Sequence, residues 1–326
     1  MNRRVLRAAA IPIAALALTL SACGGQGNSS SASSGSGDEG QKEVSGEVVV
    51  DGSSTVQPLT AAAGELFAEQ APGVNVSVAT SGTGGGFEKF CEGQTDISNA
   101  SRPIEDDEKA ACKKAGVAFT ELQVATDALT VIVSKDNDFV TCLTTAELKK
   151  LWSPASEGKV KTWDQVNAKF PSEEIDLYGP GTDSGTFDYF TDEINGEEGA
   201  SRSDYNASED DNTIVQGVSG SPNALGYFGY SYFEENASKL KAVEVDSGSG
   251  CVAPSPKAAQ DGSYTPLSRP LFIYVSKKSV DSKPQVAEFV KYYAGSDAEI
   301  AEAAQFIPLN DEQKTKLEQA AGQLVG

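Results

Sequence analysis

The feature that most constrains the fold is a unit repeated along the chain: a short apolar strand, a loop of small hydroxyl residues and glycine, then a helix. "EVVV" (47–50) is broken by "DGSST", after which Pro58, Leu59, Ala62, Leu66 and Phe67 recur at helical spacing. Pro58 falls near the first turn, where its missing N–H costs nothing. "VNVSVA" (74–79) alternates like a strand, "TSGTGGG" breaks it, and Phe87, Phe90 and Cys91 open a second helix. "ALTVIVS" (128–134) predicts a buried strand, and "TTAELKKLW" (144–152) predicts a helix with a capping box from Thr144 to Glu147. "IDLY" (175–178) precedes "GPGTDSGTFDYF" (179–190) and a helix carrying Phe187, Phe190 and Ile194. "LFIYVS" (271–276) is a late strand, and "VAEFVKYYA" and "DEQKTKLEQAAGQL" are closing helices.

Strands alternating with helices predict an α/β chain, with parallel sheets covered on both faces. About 280 residues of this pattern, without an internal linker, predict two lobes. The crossings fall near "VATDAL" (124–129) and "LSRPLF" (267–272), so lobe one is 47–126 with 271–326, and lobe two is 127–270.

The N-terminus reads as a targeting segment. Arg3, Arg4 and Arg7 precede a 13-residue apolar run, "AAAIPIAALALTL". That is short against the roughly 20 residues of a membrane span. "LSAC" (20–23) resembles the bacterial lipobox, which implies a signal peptide over 1–22 and a lipidated Cys23. Residues 23–46 then form a Gly/Ser-rich tether with too little apolar surface to order itself. Several acyl chains on one cysteine hold a domain stably at a membrane.

With Cys23 lipidated, four of the five cysteines remain, which in an exported chain suggests two disulfides. The favoured pairs are Cys91–Cys112, closing a local loop, and Cys142–Cys251, tying distant segments. The spacing gives no C-x-x-C zinc site, and there is no histidine. The formal net charge of −21 argues against a nucleic-acid partner.

Three loops share one design. "DGSSTV" (51–56), "TSGTGGG" (80–86) and "GTDSGT" (181–186) each leave a strand and enter a helix. A helix N-terminus offers unpaired N–H groups and partial positive charge. Glycine lets an anion approach the backbone, and Ser and Thr add neutral donors. One such loop is an N-cap and a turn; three converging loops would wrap a tetrahedral oxyanion. In "TDISNASRPI" (95–104), Arg102 can contact an oxyanion bidentately. Asp96 beside it makes sense if the ligand carries a proton for the carboxylate to accept. Such a site rejects an analogue lacking the O–H by roughly 10⁴–10⁵.

"DGSSTVQPL", "SGTGGGFEKFCEGQTDISNASRPI", "YGPGTDSGTFDYF", "VQGVSGSPNALGYFGYSYF" and "PLSRPLFIYV" resemble the phosphate-binding proteins of high-affinity phosphate ABC transporters, the PstS family. The likeness spans essentially everything after the tether. It implies a type II periplasmic-binding-protein fold, two α/β lobes joined by two crossing segments with a ligand cleft between. It implies hydrogen phosphate as ligand, a permease and ATPase complex as partner, no cofactor, no catalysis and a monomer on the outer face of the cell membrane. Carried over by residue, the likeness implies contacts from Ser54, Thr55 and the Val56 N–H, from Ser81 or Thr83, and from Asp96, Ser101 and Arg102. Lobe two adds Ser184, Gly185 and Thr186. Some members place an arginine four residues before the serine, where this chain has Pro180. The alternatives are a receptor for phosphonate, sulfate or molybdate, a phosphate sensor or surface protein without transport, and a secreted serine hydrolase using Ser184 and Asp183. Without histidine the usual triad is impossible, and no G-x-S-x-G elbow occurs. "GYFGYSYF" (226–233) is expected to form core and cleft wall, Trp152 and Trp163 to pack in lobe two, and "SEDDN" (208–212) to be a solvated loop.

Overall fold

The computed structural model describes residues 44–182 and 184–326. The signal peptide, Cys23, the tether up to residue 43, and Asp183 lie outside the described residues. Among the described residues no helix is long and apolar enough to cross a membrane.

The chain begins with β1 (Gly46–Gly52), α1 (Gln57–Gln70), β2 (Val74–Val78), α2 (Gly82–Cys91), β3 (Ile97–Ala100) and α3 (Asp106–Ala115). It then enters β4 (Phe119–Ser134), a 16-residue strand. Next come β5 (Cys142–Thr144), α4 (Thr145–Trp152), α5 (Trp163–Val166), β6 (Asp176–Gly179), α6 (Gly185–Phe190), β7 (Asn206–Ala207), α7 (Asp211–Ser219), β8 (Ala224–Gly229) and α8 (Tyr230–Asn236). After β9 (Leu240–Ala242), β10 (Glu244–Asp246), β11 (Cys251–Val252) and α9 (Pro256–Gln260), the strand β12 (Ser268–Ser276) leads to α10 (Lys277–Ser282), α11 (Pro284–Gly295), α12 (Asp297–Ala303) and α13 (Asp311–Val325).

Eight strands run in the order β2-β1-β3-β12-β4-β8-β6-β7, with β9 also on β4. The expected parallel sheets are in fact mixed. β1 is parallel to β2 and β3, and β6 to β8 and β7. Between these blocks, β12 is antiparallel to β3 and β4, and β4 to β8. The reason is topological: β4 and β12 are the crossing strands, one outbound and one returning. "ALTVIVS" is thus not a separate strand but the second half of β4, whose first half pairs with β12 over Phe119–Ala128.

Each lobe has its own core. Val48, Leu59, Phe67, Val124, Leu271, Phe289 and Leu317 belong to one, and Leu129, Trp152, Trp163, Phe190, Tyr227 and Leu267 to the other. The change between them falls between residues 125 and 128 on the way out, and between 267 and 271 on return. Ile307 joins the second core although its neighbours pack in the first, and it exchanges backbone hydrogen bonds with Thr126 at 2.9 and 3.1 Å. The other sheet faces are covered by smaller cores, one built on Phe87, Phe90 and Tyr274, one on Ile132, Ile214 and Phe228.

Local signals set the element ends. Thr144 and Glu147 form a reciprocal capping box, with Glu147 N–H donating to Thr144 Oγ1 at 3.1 Å and Thr144 N–H to Glu147 Oε2 at 2.8 Å. Two disulfides are present: Cys91–Cys112 staples α2 to α3, and Cys142–Cys251 joins β5 to β11. Tyr227 of the aromatic run stacks on Phe190 with centroids 3.9 Å apart and meets Trp152 edge-on, so this part of the run is core. The acid run is not a simply solvated loop. Ser208 N–H donates to Gly179 O at 3.0 Å, and Asp210 caps α7 through Asn212 N–H at 2.9 Å. Burial and the neighbouring Asp210 and Glu209 push the Asp211 carboxyl up to about 6.

Candidate functional site

The first wall is the turn from β1 into α1. Gly52 adopts φ +139°, and a Cβ there would lie 2.2 Å from Asn99 O, so only glycine lets β1 and β3 end side by side. Ser53 N–H donates to Asn99 O at 2.9 Å. The N–H groups of Ser54, Thr55 and Val56 find no backbone acceptor among the described residues. The Val56 side chain is fully buried in the first core, which leaves only its backbone for a ligand.

The glycine loop brings a second helix start to the same place. Gly86 packs so closely on Gly52 that a Cβ would fall 2.4 Å from its Cα. Of the two hydroxyls between which the sequence did not choose, Thr83 faces the cleft. Its Oγ1 lies 3.1 Å from Ser101 Oγ and accepts Ser101 N–H at 3.2 Å. Ser81 instead donates to Asp51 Oδ1 at 2.7 Å, and Asp51 also pairs with Lys89. Burial pushes the Asp51 carboxyl up, but hydrogen bonds from Lys89, Ser81 and the Gly52 N–H outweigh it and hold the group below its ordinary value.

Ser101 and Arg102 follow β3 and reach the cleft. Arg102 is already engaged: Nη1 and Nη2 donate to Glu108 at 2.9 and 2.8 Å, Nη1 to Pro103 O at 3.2 Å, and Nε lies 3.3 Å from Glu105. The Glu108 hydrogen bond, partly opposed by burial, raises the Arg102 pKa.

Asp96 does not belong to this cleft. It precedes β3 whereas Ser101 follows it, and the four extended residues of β3 set their Cα atoms about 16 Å apart. There it is 3% exposed, accepts Val49 N–H at 3.0 Å and binds Lys283 Nζ at 2.7 and 3.0 Å. The two ends of β3 lie at opposite edges of the sheet, and ligands collect at the carboxyl ends of parallel strands.

Lobe two contributes the start of α6. Ser184 is its N-cap, with Thr186 N–H donating to Ser184 Oγ at 3.2 Å. Gly185 abuts the first loop: a Cβ there would sit 3.0 Å from Thr55 Oγ1 and 3.4 Å from Thr55 N. The helix continues as a π-helical turn, Thr191–Asn195, so its acidic side chains also line the cleft. The cavity of about 460 Å³ is bounded by Ser54, Thr55, Thr83, Ser101 and Arg102 on one side and by Asp188, Tyr189, Glu193 and Glu198 on the other, with Arg269 also on its wall. Burial raises the Asp188 carboxyl, Glu198 adds to the rise and Arg269 opposes it. Glu193 is likewise raised by burial and Asp192.

Arg269, Tyr189 and Asp188 were not among the expected contacts. "LSRPLF" signalled a crossing segment, and an arginine at the head of an otherwise apolar strand was the available clue to a charge placed on purpose. Arg269 Nη2 donates to Thr55 Oγ1 at 2.8 Å, its Nε lies 3.3 Å from Asp127 Oδ2, and its guanidinium carbon lies 3.6 Å from the Tyr189 ring centroid.

Two α/β lobes, two crossing strands and a cleft lined by hydroxyls and helix starts define a solute-binding domain. Accordingly, the family model described as a PBP superfamily domain matches residues 37–297. The chain is 44% identical over 302 residues to Protein SphX of Synechocystis sp., covering 93% of this chain and 85% of that one. It is 44% identical over 310 residues to the phosphate-binding protein PstS of Staphylococcus saprophyticus, covering 95% and 92%. A crystal structure of a possible phosphate binding protein from Planctomyces limnophilus superposes with TM-score 0.82 at 46% identity, over 87% of this chain and all of that one. The chain belongs to the PBP superfamily and, within it, to the PstS family.

Proposed function

We propose that this chain captures hydrogen phosphate outside the cell membrane and hands it to the permease of an ABC transporter, binding and releasing it without chemistry. The observation that carries the reading is the meeting of lobes at Gly185 and Thr55, which sets the start of α6 beside a turn whose Ser54, Thr55 and Val56 N–H groups have no backbone acceptor among the described residues. Ser54, Thr55, Thr83 and Ser101 give the first lobe's wall of the cleft neutral donors, which suit a compact oxyanion in an acidic protein. The name of the phosphate-binding PstS relative supports phosphate over other oxyanions. We assign Ser54, Thr55, Val56, Thr83, Ser101, Ser184, Gly185 and Thr186 as ligand contacts.

With Asp96 outside the cleft, we assign acceptance of the ligand's proton to Asp188. It lies three residues beyond Gly185, hence on the same face of the helix, and it lines the cavity. The lipidated Cys23 and the tether would keep a monomeric binding domain, with lobes divided as the sequence predicts, close to its transporter. The test is calorimetric titration of the domain after bound ligand is removed by unfolding and refolding. Tight one-to-one phosphate binding without sulfate heat is expected; a folded domain that ignores phosphate refutes the reading.

A further inference from the structure

We propose that Arg269, not Arg102, supplies the guanidinium that meets the bound oxyanion, from a seat shared by both lobes; the assignment rests on the oxyanion reading above. The two arginines differ in what remains free. A guanidinium carries five N–H groups. Arg102 turns four of its five to Glu108, Glu105 and the Pro103 carbonyl, and two carboxylates offset its charge. Arg269 uses one N–H on Asp127 and one on Thr55, which leaves three without a protein acceptor among the described residues. Yet its side chain is only 17% exposed, and it lines the cavity. A largely buried cation with spare donors on a cleft wall is suited to an anion.

Its seat is rigid and spans the fold. Arg269 stands opposite Asp127 in the register of β12 and β4, so backbone pairing sets their distance. The Tyr189 ring from α6 carries the guanidinium plane at 3.6 Å, and Thr55 holds one edge. Because Thr55 Oγ1 accepts from Arg269, its own hydrogen is left to donate elsewhere, and the anion is the available acceptor. Arg269 thus both contacts the ligand and orients a second donor. It joins the crossing strand, the first lobe's loop and the second lobe's helix, so neutralising it in the open cleft or engaging it in the closed one changes the balance between those states.

The experiment compares wild type, Arg269→Gln, Arg269→Lys and Arg102→Ala by phosphate calorimetry on ligand-stripped protein. Each variant's folding is checked by circular dichroism and thermal melting. Loss of charge-assisted hydrogen bonds predicts about a hundredfold or greater weakening for Arg269→Gln, against less than about tenfold for Arg102→Ala. Arg269→Lys should fall between wild type and Arg269→Gln. Wild type is also treated with phenylglyoxal, with and without phosphate, and mapped by mass spectrometry; a merely structural arginine gains no protection. Phosphate protection of Arg269 with little change at Arg102 supports the assignment even if the variants misfold. A tight-binding wild type with no protection of Arg269, or a folded Arg269→Gln within tenfold of it, overturns the assignment alone. A folded wild type that binds no phosphate overturns the oxyanion reading and this assignment with it.

Discussion

Replacing Gly185 with alanine should weaken phosphate binding without destabilising the free protein. Gly185 does not use a left-handed φ, so alanine fits its backbone. In a helix it gains about 0.5–1 kcal/mol over glycine. The cost falls only where the lobes meet. The added methyl would lie 3.0 Å from Thr55 Oγ1, 3.3 Å from Thr55 Cα and 3.4 Å from Thr55 N. Carbon contacts are comfortable at about 3.5–4.0 Å. Two of the three atoms are backbone and cannot rotate aside, so the lobes must part by a few tenths of an ångström. Overpacking of this kind costs about 1–3 kcal/mol. If it acts on the closed state alone, affinity falls about 5–150-fold. Calorimetry gives the affinity, and melting without phosphate should stay level or rise slightly. Gly185→Val should bind still more weakly. If both variants bind as wild type does, the Gly185–Thr55 contact is not part of the bound state, and the closed-cleft reasoning fails.

Two further tests separate a carboxylate inside the cleft from one outside it. Asp188→Asn should raise sulfate binding relative to phosphate by tenfold or more in competition titrations, because the acceptor for the ligand's proton is lost. Asp96→Asn should leave that ratio unchanged and instead lower the unfolding midpoint, since Lys283 and the Val49 N–H lose a charged partner. For Asp51, the folded carboxyl sits below its ordinary 3.8, so its stabilisation is complete above about pH 4 and fades as pH falls through the lowered value. Lys89→Met should therefore cost stability at pH 7 by about 1–2 kcal/mol, reduced because the Lys89 side chain is 42% exposed. The deficit against wild type should shrink in urea unfolding at pH 3; a deficit that stays constant with pH refutes the electrostatic account.

Much was legible in one dimension because it depends on local chemistry. The strand–loop–helix order follows from apolar periodicity, and the helix starts follow from capping residues such as Thr144 and from glycine at forced positions such as Gly52. The hydroxyl loops marked where donors gather, since helix ends lack partners wherever they occur. What periodicity does not carry is strand direction and which end of a strand faces the cleft. Asp96 and Ser101 are near neighbours in sequence, yet β3 separates them, and one meets Lys283 while the other meets Thr83. Nor did the sequence say which charges are already occupied. Arg102 is held by a carboxylate one helical turn into α3, whereas Arg269, 214 residues from Thr55, donates to it. That contact exists because β12 returns beside β4 and carries the arginine to the point where both lobes meet. Side-chain type and local spacing determined the kind of site this chain can build; the pairing of distant strands decided which residues form it.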